Sequence, residues 1–118
     1  MRNLSGECHL VKTGDVWLAC LDPTVGSEIQ KTRPCVVISP AEMHDHLRTV
    51  IVAPMSTGSR PAGFRIAVTF QGKSGLILLD QIHTLDKSRL VKKVGAIHIA
   101  TLEKTLRTLR DIFEPTVI

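Results

Sequence analysis

The chain has 118 residues, 43% hydrophobic and 22% charged, with 15 basic and 11 acidic side chains giving a formal charge of +4. That length supports one domain with its own core, and no apolar run reaches the length of a signal-peptide core or a membrane span, so a cytoplasmic protein is expected. Three cysteines, Cys8, Cys20 and Cys35, are odd in number and lack Cys-x-x-Cys spacing, which excludes an evident disulfide framework or zinc site. The mild positive charge suits RNA or an acidic protein partner, and equally suits plain solubility.

Residues 1–12 read as an irregular tail and residues 13–118 as a single domain. The run Asp15 to Leu21, DVWLACL, is apolar and bounded by Gly14 and by Asp22-Pro23, which predicts a buried strand with Trp17 and Cys20 in the core. Residues 24–32 form a polar loop, with Gly26 at a turn and Ser27, Glu28 and, just beyond, Arg33 as its chemically active side chains. Pro34 opens a second strand, Cys35 to Ser39, because a first strand residue can do without its donor. Pro40 ends that strand, and AEMHDHL reads as a short helix or a turn, with His44 and His46 on the surface.

A third strand is predicted over Thr49 to Pro54, followed by a Ser/Thr/Gly/Pro-rich loop from Met55 to Gly63. Phe64 to Phe70 alternates as a half-exposed strand does, Gln71 to Gly75 is a turn, and Leu76 to Leu79 is an apolar strand with Asp80 at its end. Beyond it a turn falls near Asp86 to Ser88 and a strand near Leu90 to Val94. The last element is a helix with Thr101 as N-cap, Leu102, Leu106, Leu109, Ile112 and Phe113 at helical spacing, and Pro115 as its stop. Many short strands and one late helix predict a mainly β fold, a compact, largely antiparallel barrel or curved sheet with the helix packed on it.

If the polyanion that the charge allows is RNA and the chain cuts it without a metal, the reaction requires a proton taken from the ribose 2′-hydroxyl, stabilisation of extra charge on phosphorus, and a proton given to the leaving 5′-oxygen. Arg33 suits the second task, because a guanidinium stays charged and offers fixed donors to phosphate oxygens. Glu28 suits either the positioning of Arg33 or proton transfer. Taken singly, both read as solvated loop residues, worth at most about 1 kcal/mol as an exposed pair.

Four blocks in order change that balance. GDVWLACLDPTVGSE, RPCVVIS, TVIVAPMSTGSR and GLILLDQIHTLDKSRL together resemble the MazF/PemK/Kid toxins of type II toxin–antitoxin modules, over most of the chain from Gly14 to the last helix. The resemblance implies a CcdB-like, SH3-like barrel and an endoribonuclease, or mRNA interferase, that needs no cofactor or metal. It also implies a homodimer that cuts single-stranded mRNA at a short sequence and is restrained by an acidic antitoxin, with products ending in a 2′,3′-cyclic phosphate and a 5′-hydroxyl. Arg33 matches the family's catalytic arginine, Glu28 supports it, and the catalytic threonine falls on Ser56, with Thr57 taking the role if the register shifts.

Serine at position 56 lacks the methyl group that restrains a threonine rotamer. Asp80 and Gln81 match the family's Asp-Gln pair and, with Thr57, Ser27 and Arg60, are candidates for substrate contact. In the Kid branch a loop histidine and an arginine two residues before the aspartate also contribute, but Ser27 and Leu78 stand there in this chain. His83, close to Asp80 in sequence, is the one histidine to consider for proton transfer. With no tyrosine, one tryptophan and three phenylalanines, base stacking has little scope, so phosphate contacts dominate the expected RNA binding, with Arg60, Arg65, Lys73, Lys87, Arg89, Lys92 and Lys93 as candidates. Two alternatives remain at this point. A CcdB-like gyrase inhibitor uses a tryptophan near its C-terminus, whereas the only tryptophan here is Trp17; a catalytically silent RNA-binding module has no need of Glu28, Arg33 and Ser56 together.

Overall fold

A computed structural model describes residues 10–21 and 32–115. Among these described residues, seven strands and two helices follow in chain order: β1 (Asp15–Cys20), β2 (Thr32–Val37), α1 (Ala41–His44), β3 (Thr49–Ser56), β4 (Arg65–Phe70), β5 (Lys73–Leu78), β6 (His83–Asp86), β7 (Leu90–Ala96) and α2 (Ile99–Ile112). Single 3-10 turns at Leu79–Gln81 and Lys87–Arg89 flank β6. All strand pairings among the described residues are antiparallel, in the order β4-β5-β3-β2-β1-β7. The mainly β architecture with a C-terminal helix is therefore the one expected from sequence.

β3 is the spine. One of its edges carries β2, while the other carries β6 along Thr49 to Val52 and then β5 along Met55 and Ser56. Alternation sends its side chains to two cores. Val50 and Val52 join Trp17, Ala19, Cys35, Val37 and Leu85 on one face, and Ala53 joins Val16, Val36, Ile66 and Ile77 on the other. Val16, Val36, Val37, Val50, Val52 and Ile77 are fully buried, and each contributes about 1.5–3 kcal/mol of transfer free energy. Helix α2 covers the second core through Leu102 and Leu109.

Closure of the sheet comes from two ends. Register shifts between Val16 and Trp17 and between Leu18 and Ala19 bend β1 against β7, as bulges do. At the far end, β4 and β5 are joined by a two-residue turn in which Gln71 and Gly72 both have positive φ, 52° and 79°, the requirement of a type I′ hairpin. The Gln71 side-chain amide donates to the Val94 carbonyl at 3.2 Å, and the Phe70 ring lies over Gly95, so the hairpin tip folds back onto β7.

Several boundaries differ from the sequence expectation. β3 runs two residues further, to Ser56, because Met55 and Ser56 find partners on β5. β2 starts at Thr32, and Pro34 sits inside it just before Cys35, the first residue laddered to β3. The sequence pattern does not mark β6, since only Leu85 of HTLD is buried and no apolar run crosses it. Helix α2 begins at Ile99, capped by His98, whose Nδ1 accepts from the Ala100 amide at 3.1 Å; Thr101 lies inside the helix and its carbonyl accepts from Thr105. Ile112 and Phe113 are exposed on this chain. His44 is fully buried rather than on the surface: Ser39 Oγ accepts from the Ile51 amide and meets His44 Nδ1 at 3.1 Å, pinning α1 to β3.

Candidate active site

Ladder register brings the two principal candidates together. The β2–β3 ladder ends at Cys35 opposite Pro54, and Arg33 and Ser56 each lie two residues beyond that pair, at the same end of adjacent strands. Because side chains alternate, they fall on the face of Cys35 and Pro54. Cross-strand pairs extend the row in both directions. Ala19 of β1 faces Arg33, Leu76 of β5 faces Ser56, and Ala67 of β4 faces Leu76. Arg33 is exposed at this end, whereas Cys35 beside it is fully buried.

Ser56 is held by the loop that follows it. Its Oγ accepts from the Gly58 amide at 3.2 Å and from the Ser59 hydroxyl at 2.9 Å. A hydroxyl has two acceptor lone pairs and one proton, so a Ser56 engaged in this way has its proton to offer to a further acceptor. That suits a donor to a phosphate oxygen. Close approach of β5 completes the arrangement: a Cβ on Gly75 would stand 2.7 Å from the Ser56 carbonyl oxygen, so only glycine allows the two strands to sit this near. Ser56 and Thr57, the latter exposed at the start of the loop, line a cavity of about 410 Å³ with Leu18, Pro34, Met55, Val68 and Phe70.

Asp80 is tied to β4 instead of standing alone. Arg65 donates from Nε to Oδ1 at 3.0 Å and from Nη2 to Oδ2 at 2.9 Å, a bidentate pair. Hydrogen bonds from Arg65, with a smaller one from Gln81, hold the Asp80 carboxyl below its ordinary range. Arg65 also donates from Nη1 to the Arg60 carbonyl at 2.9 Å, so the same guanidinium anchors the far end of the loop that begins at Ser56. On the hairpin Arg65 lies directly opposite Leu78, the position at which the Kid pattern carries its arginine. The guanidinium facing Asp80 comes from β4 here.

Other sequence candidates are placed as follows. The Arg60 backbone, not its side chain, takes part in the Arg65 contact, and the residue is exposed. His83 opposes Val52, four residues before Ser56 on β3, which sets it roughly 13 Å away along the strand. Arg89 donates to the Cys20 carbonyl and Lys93 pairs with Asp15 at 3.4 Å, so both serve the fold. Glu28 and Ser27 lie outside the described residues, as does Cys8. Among the described residues no group of three His, Cys, Asp or Glu comes together to hold a metal ion, and no helix is long and apolar enough to cross a membrane. Sequence reasoning missed Ser59 and the pairing of Arg65 with Asp80. The Ser-x-Gly-Ser spacing after β3 is the signal that pointed to the first, since serine hydroxyls bond backbone amides two residues on.

Residues 12–113 match the family of PemK-like, MazF-like toxins of type II toxin–antitoxin systems. The chain belongs to this family. It is 32% identical over 108 residues to the endoribonuclease PemK of Escherichia coli, covering 86% of this chain and 81% of that protein. It is 38% identical over 91 residues to the endoribonuclease MazF of Staphylococcus epidermidis, covering 72% and 76%. Among solved structures, a mycobacterial endoribonuclease in complex with its cognate antitoxin superposes with a TM-score of 0.74 at 22% identity, over 91% of this chain and 99% of that one. A MazE–MazF structure from Deinococcus radiodurans gives 0.74 at 24% identity, over 91% and 98%. These superpositions establish the MazF/PemK fold, while family membership rests on the sequence match.

Proposed function

We propose that this endoribonuclease toxin cleaves single-stranded RNA, mRNA in the cell, at a short sequence and without a metal, with Arg33 and Ser56 acting on one phosphate. The observation that carries the reading is their juxtaposition at the ends of β2 and β3, with the Ser56 oxygen already accepting two hydrogen bonds. Arg33 stabilises charge on the phosphorane and takes part in proton transfer, and Ser56 donates to a phosphate oxygen. Glu28, carried over from the family pattern, supports Arg33. The ribose 2′-oxygen attacks phosphorus and loses its proton, the bond to the 5′-oxygen breaks, and that oxygen gains a proton, leaving a 2′,3′-cyclic phosphate and a 5′-hydroxyl. Thr57, Gln81, Ser27 and Arg60 contact substrate, and Asp80 acts through its grip on Arg65.

The toxin is active as a cytoplasmic homodimer and is restrained by an acidic antitoxin, consistent with its positive charge and with the antitoxin complexes formed by structural relatives. The gyrase-inhibitor alternative loses its support, because Trp17 is buried in the first core. The test is cleavage of a mixed single-stranded RNA in EDTA by the wild-type protein and by Arg33→Ala. The wild type is expected to cut, and Arg33→Ala to lose at least about a hundredfold in rate, as loss of one preorganised donor does. Cleavage that survives the substitution would remove Arg33 from the site.

A further inference from the structure

We infer that Ser59 is a positioning residue for the Ser56 hydroxyl, replacing with a hydrogen bond the restraint that a threonine methyl supplies. The inference rests on the proposed role of Ser56 and extends it to a residue of the same loop to which the family resemblance assigns no role. A serine side chain has three staggered χ1 wells and no branch to favour one of them, whereas a β-branched side chain is stiff. At the end of β3 two donors converge on Ser56 Oγ, the Gly58 amide at 3.2 Å and the Ser59 hydroxyl at 2.9 Å. Together they select one rotamer. Gly58 contributes a backbone group that most substitutions would leave in place, so Ser59 is the adjustable half of the pair.

The same contact sets polarity. The Gly58 amide can only donate, and when Ser59 donates as well the Ser56 oxygen accepts twice and its own proton is left for a further acceptor, polarised by the donor chain. Ser59 is itself only partly buried and three residues from Ser56, within a loop whose far end Arg65 anchors at the Arg60 carbonyl. The loop therefore brings a fixed hydroxyl to Ser56, which itself lines a cavity of about 410 Å³.

A set of variants in single-turnover cleavage tests the inference. Ser59→Ala is expected to lower the cleavage rate about tenfold with KM changed by less than about twofold, the size of one hydrogen bond expressed in the transition state. Ser59→Thr keeps a hydroxyl and is expected to keep the rate. In a Ser56→Thr background, Ser59→Ala is expected to cost almost nothing, because the methyl group restrains the rotamer. In a Ser56→Ala background it is expected to have no effect. An unchanged rate for Ser59→Ala, or an equal loss in the Ser56→Ala background, overturns the inference.

A second readout needs no catalysis. The Ser56 Hα–Hβ couplings in NMR spectra are expected to report one rotamer in the wild-type protein and averaging in Ser59→Ala, at unchanged melting temperature. Averaged couplings in the wild type overturn the positioning role whatever the activity. Single-rotamer couplings with no RNA cleavage by any variant overturn the endoribonuclease mechanism instead, and leave the positioning established.

Discussion

At the scale of single residues, the β2 terminus sets a charged side chain beside a buried one. Arg33 is exposed while Cys35, two positions on and on the same face, is fully enclosed, with its Sγ donating to the Arg33 carbonyl at 3.6 Å. Two effects oppose each other at the thiol: burial disfavours a thiolate, and the Arg33 charge favours it. Burial wins, and the thiol is pushed up from 9.0 to about 12. Cys35 is therefore expected to resist iodoacetamide at pH 8 in the folded protein and to react at the rate at which β2 opens; rapid labelling under native conditions would show that the core around it is not closed. Arg33 and Glu28 enter as candidates from the sequence because the loop charges coincide with family motifs; the structure places Arg33 at the end of β2, and Glu28 lies outside the described residues. The Arg65–Asp80 pair is not legible in the sequence, since it depends on which residues the register sets side by side, and Ser59 carries only the local Ser-x-Gly-Ser spacing as its signal.

At the scale of elements, the site depends on how closely β5 can approach β3. Gly75 precedes Leu76, the partner of Ser56, and any Cβ at that position would collide with the Ser56 carbonyl oxygen at 2.7 Å. The obstacle is backbone, so no rotamer change relieves it. Gly75→Ala is expected to destabilise the protein by about 1–3 kcal/mol and to displace the end of β3, lowering cleavage more than it lowers the melting temperature. Wild-type cleavage and stability in that variant would mean that the strands separate without disturbing Ser56. The apolar strands β1 and β3, the Leu76 to Leu78 part of β5 and the helix α2 are marked by apolar runs or helical spacing, whereas Lys73 to Gly75 read as turn and join β5 only through their partners on β4. A four-residue strand such as β6, with one buried side chain, carries almost no pattern, and the end of β3 looks like loop in sequence because Ser56 gains strand geometry only from its partner on β5. The cap of α2 is His98, three residues before Thr101, because an imidazole nitrogen can accept the first-turn amide as a hydroxyl oxygen does.

At the scale of the whole molecule, acid acts on the pairs that tie separate strands and turns together. Arg65 hydrogen bonds hold Asp80 below its ordinary 3.8, and the Ser88 amide does the same for Asp86, which also faces Arg48 at 3.7 Å. Both carboxylates have folded-state values lower than their unfolded ones. Their contribution to stability is thus complete above the unfolded value of 3.8 and is lost as pH falls through the lower folded values. The melting temperature is therefore expected to decline below about pH 4 partly through these two groups. Asp80→Asn should flatten that decline while lowering stability at neutral pH, because the amide keeps a hydrogen-bond acceptor and loses the charge. Thermal unfolding of the wild type and Asp80→Asn across pH 2–6 measures the difference. Parallel curves would mean that the Arg65 clamp does not carry acid sensitivity. The same variant loosens the anchor at Arg60, so cleavage at neutral pH is expected to fall with it; acid stability and catalysis then meet in a single guanidinium on β4.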